Sequence, residues 1–90
     1  MRFEWDNTKA DRNRAKHGIT FDEAQTAFND PFYVDFYDPD HSEDEARYLI
    51  IGTSSQGRLL IVSYTERGDA IRLISARELT RSEREAYENE

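Results

Sequence analysis

Ninety residues give room for one domain with a thin core: only 18 are Leu, Ile, Val or Phe, and a chain this short hides about 60% of its unfolded surface. The absence of cysteine excludes disulfides, thiolate metal sites and cysteine nucleophiles. No apolar run approaches the roughly 20 residues that span a bilayer, and no export signal opens the chain, so a cytoplasmic protein of one domain over residues 1–90 is expected.

In chain order, Phe3-Glu4-Trp5 reads as a short first strand or anchor. Asp6 suits the N-cap of a helix running to about Lys16, and Gly18 suits its left-handed C-terminal position. Ala10, Asn13, Arg14 and His17 share one face of that helix, too polar for an ordinary core stripe. Thr20-Phe21-Asp22-Glu23 spells a capping box for a second helix to about Asn29, with Phe21, Ala24, Ala27 and Phe28 as its apolar stripe. Asp30-Pro31 ends it. Strands are predicted over Phe32–Tyr37, Arg47–Thr53, Arg58–Glu66 and Ala70–Arg77, with turns at Asp38-Pro39-Asp40, Ser54–Gly57 and Arg67-Gly68-Asp69. Thr80-Arg81-Ser82-Glu83 spells a second capping box, opening a helix to about Glu88. The order β-α-α-β-β-β-β-α implies an α+β fold: two N-terminal helices packed on an antiparallel sheet of about four to five strands, and a C-terminal helix.

The formal charge of -7 is unevenly spread. Residues 19–46 hold nine acidic side chains and no Lys or Arg, whereas residues 1–18 and 47–79 are each mildly basic. A bipolar chain of this kind can meet an anion with one face and a basic partner with the other. A two-residue turn at Gly68-Asp69 would pair Arg67 with Ala70 and Thr65 with Arg72, placing Glu66 and Arg77 on one side with Tyr64, Leu73 and Ser75. Arg67, Arg72 and Arg77 are either surface cations or phosphate contacts, and Arg77 stands just before a helix start. His17 beside Lys16 is either a helix cap or a general acid–base group. Tyr64 and Tyr87 either pack amphipathically or meet a base. Asp38, Asp40, His41 and Glu43 could surround a cation but lack EF-hand spacing and its glycine. No metal site is expected, and no nucleotide-cofactor or metalloprotease motif occurs.

Taken together, these segments resemble the BrnT toxins. The resemblance runs through Phe3-Glu4-Trp5-Asp6, Lys16 to Ala24, Asp30-Pro31, Asp38 to Glu43, Arg47, Ile51-Gly52, Gly57 to Leu60, Tyr64 to Asp69, Ile71 to Arg77 and Thr80 to Arg84. It implies a RelE-like fold and a ribonuclease that cleaves RNA without metal or cofactor and arrests translation. It also implies neutralisation by a BrnA-like ribbon-helix-helix antitoxin, through which alone operator DNA would be bound. Homodimerisation stays open. Carried over by motif, the catalytic candidates are His17, Glu66, Arg67 and Arg77, and the RNA-binding candidates are Lys16, Arg72 and Tyr64. The chain departs from the pattern at Glu78 and Ala70, where many members are basic, which thins the positive field around Arg77. The alternative reading is therefore a toxin homologue that acts as a binding co-repressor with its antitoxin.

Overall fold

The computed structural model describes residues 1–42 and 44–89. Its first strand, β1 (Arg2–Glu4), leads into helix α1 (Asn7–His17). The Asp6 side chain caps α1 by accepting from the Thr8 amide at 2.9 Å. Gly18, at φ 70°, closes it by donating to the Arg14 carbonyl, a backbone conformation that glycine adopts without Cβ strain. The second helix, α2 (Phe21–Thr26), tightens into a 3₁₀ turn over Ala27–Asn29.

Then come β2 (Val34–Tyr37), a 3₁₀ turn at Pro39–His41, β3 (Arg47–Thr53), β4 (Leu59–Arg67), β5 (Ala70–Glu78) and α3 (Arg81–Glu88). Phe32 and Tyr33, predicted within the strand, instead form a turn, because the Asp30 carboxylate captures the Phe32 amide at 2.9 Å. The sheet order is β1-β5-β4-β3-β2. Neighbours from β2 to β5 are antiparallel, but β1 runs parallel to β5, so the sheet is mixed. Two helices and three strands lie between β1 and β5, chain enough for β5 to come back beside β1 in the same direction.

Ile19, Phe21, Ala24 and Ala27 close over Ile50, Leu60, Val62, Leu73 and Ala76 on one face of the sheet. Aromatic rings extend this core: Trp5 meets Phe21 edge-on at 5.9 Å, and Phe28 meets both Phe3 and Tyr64. Gly52 lets the chain at Ala27 come close, since a Cβ there would lie 2.6 Å from the Ala27 carbonyl oxygen.

The polar face of α1 is explained by Asn13. Its side-chain amide donates to the carbonyls of Ile19 (2.9 Å) and Ala76 (2.8 Å), and its oxygen accepts from the Ala76 amide at 2.9 Å. An asparagine thus completes the edge of β5 beyond β1, where a strand would otherwise be needed. No helix among the described residues is long and apolar enough to cross a membrane.

Candidate active site and nucleic-acid interface

The face of the sheet opposite α1 and α2 carries the arginines. The β4–β5 hairpin has the expected two-residue turn, with Arg67 opposite Ala70, Glu66 opposite Ile71 and Thr65 opposite Arg72. Beyond Tyr64–Leu73 the register shifts, and Ser63 pairs with Ser75. This β-bulge inserts Ile74 and reverses the alternation that follows. Arg77 and Ser75 therefore leave the side expected for them and join the open face, with Arg77 opposite Ile61. Glu66 and Arg77 do not share a face.

On that open face Asp38, His41, Arg47, Ser63, Ser75 and Arg77 line a cleft of about 270 Å³. The loop after β2 is fixed by Ser42, whose hydroxyl donates to the Asp38 carbonyl and accepts from the Arg47 amide. Within it, His41 Nδ1 lies 2.8 Å from Asp38 Oδ2. A carboxylate only accepts when ionised, so Nδ1 carries the proton and Nε2 is the nitrogen left to exchange one. The imidazole is 65% exposed, and the Asp38 side chain only 12%.

Arg77 is held by Glu83, with nitrogen–oxygen distances of 2.7 and 3.0 Å. The same carboxylate accepts from the Thr80 amide at 2.9 Å, and Glu83 donates its own amide to Thr80 Oγ1. Glu83 thus closes a full capping box and also grips the arginine. Its bonds to Arg77 first, then the Thr80 amide, hold its carboxyl at about 2. The guanidinium of Arg77 is correspondingly pushed up by Glu83. Arg67 pairs with Glu45 at 3.1 Å and Arg72 with Glu4 at 2.9 Å. Among the described residues, Arg47 has no carboxylate within ion-pair distance.

The sequence-predicted residues are thus dispersed. Arg77 lies in the cleft. Lys16 and His17 line another hollow with Lys9, Arg12 and Asn13, and the two hollows share Ile74 and Ser75 as lining residues. Arg67 and Arg72 lie toward the other end of the open face. Arg72 is four paired positions from Arg77, about 13 Å at strand rise. Glu66 is exposed at the end of β4.

Tyr64 is a correction. It is 6% exposed on the helix-covered face, stacked on Tyr48 at 5.6 Å, and its hydroxyl donates to Asp35 at 3.3 Å. A base cannot stack on a ring already enclosed. Burial first, then the Asp35 charge, pushes its hydroxyl pKa well up.

His41, Asp38 and Arg47 are not among the catalytic or RNA-binding candidates of the sequence, which offers the first two as part of an acidic loop and a weak cation cluster and Arg47 as a strand start. Glu43, the fourth residue of the cation cluster considered above, lies outside the described residues. Among those described, no three His, Asp or Glu side chains converge as a metal-binding group.

A mixed sheet with one apolar, helix-covered face and one arginine-lined face bearing an oriented imidazole defines a small α+β protein with helices on one side and a polar, cation-bearing cleft on the other. The family described as "Ribonuclease toxin, BrnT, of type II toxin-antitoxin system" matches residues 5–83. The chain belongs to this BrnT family. The 1.1 Å crystal structure of the Brucella abortus ribonuclease toxin BrnT is similar in fold, with a TM-score of 0.66 and 24% identity, covering 90% of this chain and 99% of that one. No curated protein sequence matches the chain. Membership of a type II system implies an antitoxin partner.

Proposed function

We propose that this chain is an endoribonuclease that cuts RNA in the cytoplasm without a metal and thereby arrests translation. A BrnA-like ribbon-helix-helix antitoxin neutralises it, and operator DNA is bound only through that antitoxin. One observation carries the catalytic reading: the open-face cleft collects the Asp38-oriented imidazole of His41 with the guanidinium groups of Arg47 and Arg77. The RNA 2′-hydroxyl is an internal nucleophile, so the protein must move two protons and stabilise a phosphorane. His41 Nε2 takes the proton of the 2′-hydroxyl as its oxygen bonds phosphorus and, as imidazolium, returns one to the 5′-oxygen as the P–O5′ bond breaks, while Arg47 and Arg77 offset the developing charge. Lys16 and His17, in the hollow that shares Ile74 and Ser75 with the cleft, hold a flanking phosphate. Arg72 and Arg67 continue the basic track along the face.

The test compares His41→Ala with His17→Ala on a defined RNA in EDTA. His41→Ala is expected to lower kcat about 10²–10⁴-fold, the range for a lost acid–base group. His17→Ala is expected to raise KM with kcat unchanged. The reverse pattern moves catalysis to the α1 hollow, and cleavage that stops in EDTA and returns with a divalent metal removes the metal-independent step.

A second reading, a silent co-repressor, is favoured by one feature. Arg67, Arg72 and Arg77 are each already paired with a carboxylate. Purified chain that represses with its antitoxin but cuts no RNA establishes that reading.

A further inference from the structure

The far edge of the sheet differs from the rest of the surface. Strand β2 is an edge strand, and all four of its residues are exposed. Phe32 is 81% exposed, and Tyr33, Phe36 and Tyr37 each remain near half exposed. Natural edges are usually blunted by lysines, by bulges or by a covering element, yet residues 19–46 contain no Lys or Arg. The Asp38 amide donates to the Arg47 carbonyl at 2.9 Å, in register with the β2–β3 pairing. Alternation along an antiparallel ladder then turns the backbone groups of Asp35 and Tyr37 away from β3. On the open face, Val34 and Phe36 border an apolar hollow of about 360 Å³ that also includes Ile61, Leu79 and Tyr87.

We propose that this edge, from Phe32 to Tyr37, receives an extended segment of a partner protein that alternates large apolar side chains with Lys or Arg, adding a sixth strand to the sheet. Backbone pairing with Asp35 and Tyr37 supplies the affinity, and the hollow beside Phe36 takes an apolar anchor. Charge selects the occupant. Asp30 and Asp35 have no Lys or Arg partner among the described residues, and Asp38 faces only His41. A second copy of this chain, paired edge to edge across a two-fold axis, would bring these carboxylates together with no cation between them. A basic segment meets the same carboxylates favourably.

The inference rests on the toxin reading in one respect: its probe is the antitoxin encoded beside this chain. The full chain is measured with that protein by amide hydrogen exchange and by affinity, using Asp35→Lys and Phe36→Lys, with melting temperature and RNA cleavage of each free variant as controls. Two variants are used because Asp35 also accepts from Tyr64, so one of them can lose stability for an internal reason. The expected result is slowed exchange at Asp35 and Tyr37 in the complex and at least a tenfold loss of affinity in a folded variant that still cuts RNA like the parent. A complex whose protection lies elsewhere and whose affinity is unchanged in both variants overturns the docking site and leaves the toxin reading standing. A free dimer abolished by Phe36→Lys overturns it in favour of a second copy. No complex and no RNA cleavage remove the toxin reading itself, and the inference falls with it.

Discussion

Thr20–Glu23 and Thr80–Glu83 are the same short pattern at two helix starts, and they end in different chemistry. Both threonines accept from the amide three residues on. At α3 the Glu83 carboxylate returns to the Thr80 amide and completes the box. At α2 no such return occurs. Glu23, 3% exposed, turns inward instead, accepting from Ser54 Oγ at 2.6 Å and from two nitrogens of Arg58. That arginine lies 35 residues away, at the entry to β4. A carboxylate enclosed by the fold serves the pair that its burial makes costly to leave unmade. A carboxylate at the rim serves both its helix and the arginine beside it. The two glutamate–arginine pairs therefore divide the labour: Glu23–Arg58 holds α2 to the sheet, and Glu83–Arg77 occupies a cleft cation that an incoming anion would have to share.

The sharpest way to break that division is to remove each arginine. Arg77→Ala is expected to lower RNA cleavage about 10²–10³-fold, the usual loss when one preorganised charge donor goes, with little change in melting temperature, because its pair is more than a third exposed. Arg58→Ala is expected to do the opposite, leaving cleavage by the folded fraction intact while melting temperature falls clearly, since it strands a buried carboxylate. Paired measurements of cleavage rate and thermal melting check both, and equal stability losses would erase the distinction.

Removing the glutamates gives the next effect in size. Glu23→Ala is expected to cost about 2 kcal/mol, the usual worth of hydrogen bonds to a charged group, because the Arg58 it leaves behind keeps about a third of its side chain exposed. At roughly 4–8 °C per kcal/mol for a domain of this size, that is a large fall in Tm. Glu83→Ala is expected to cost about 1 kcal/mol, as a lost cap. It also releases Arg77, so RNA affinity should rise in the same variant, measured by titration at fixed salt. A Glu83 variant that binds RNA more weakly would make Glu83 a positioning support for Arg77 instead of a competitor of phosphate.

How far the sequence reaches is visible at these same residues. Asp6, Gly18, Thr20 and Thr80 mark the helix ends because caps are local, side chain to backbone across two to four residues. Alternation and Gly68-Asp69 are enough to pair Arg67 with Ala70. The bulge at Ile74 is not legible, because Leu73-Ile74-Ser75-Ala76 carries no glycine and the inserted residue is fixed by the partner strand. The open-face position of Arg77 follows from that insertion and is lost with it. His41 lies in a loop whose charge suggests solvation, and only the fold brings it to the cleft of Arg47 and Arg77. The parallel entry of β1 and the inward turn of Glu23 likewise depend on partners far away in the chain.

The smallest effect separates the two carboxylates by pH. Each has a folded pKa below its ordinary 4.5: Glu83 at about 2, chiefly through Arg77, and Glu23 lowered chiefly by Arg58 against the opposing cost of burial. A carboxyl lowered by folding binds fewer protons in the folded than in the unfolded chain. Its contribution is therefore present above the unfolded pKa and lost as pH falls through the folded one. For Glu83 that window runs from about 4.5 down to about 2. In Glu83→Gln the acid loss of melting temperature across this window should shrink, and only slightly, because solvent screens a pair this exposed. In Glu23→Gln stability should already be low at neutral pH, and its acid slope should flatten as well, since its carboxyl is also lowered by folding. Asp30, also held low by the amides of Thr53 and Phe32, is common to all three proteins and cancels between them. Melting temperatures from pH 2 to 6 for the parent and both variants decide it, and an acid slope in Glu83→Gln as steep as the parent's would show that the rim pair adds nothing to acid stability.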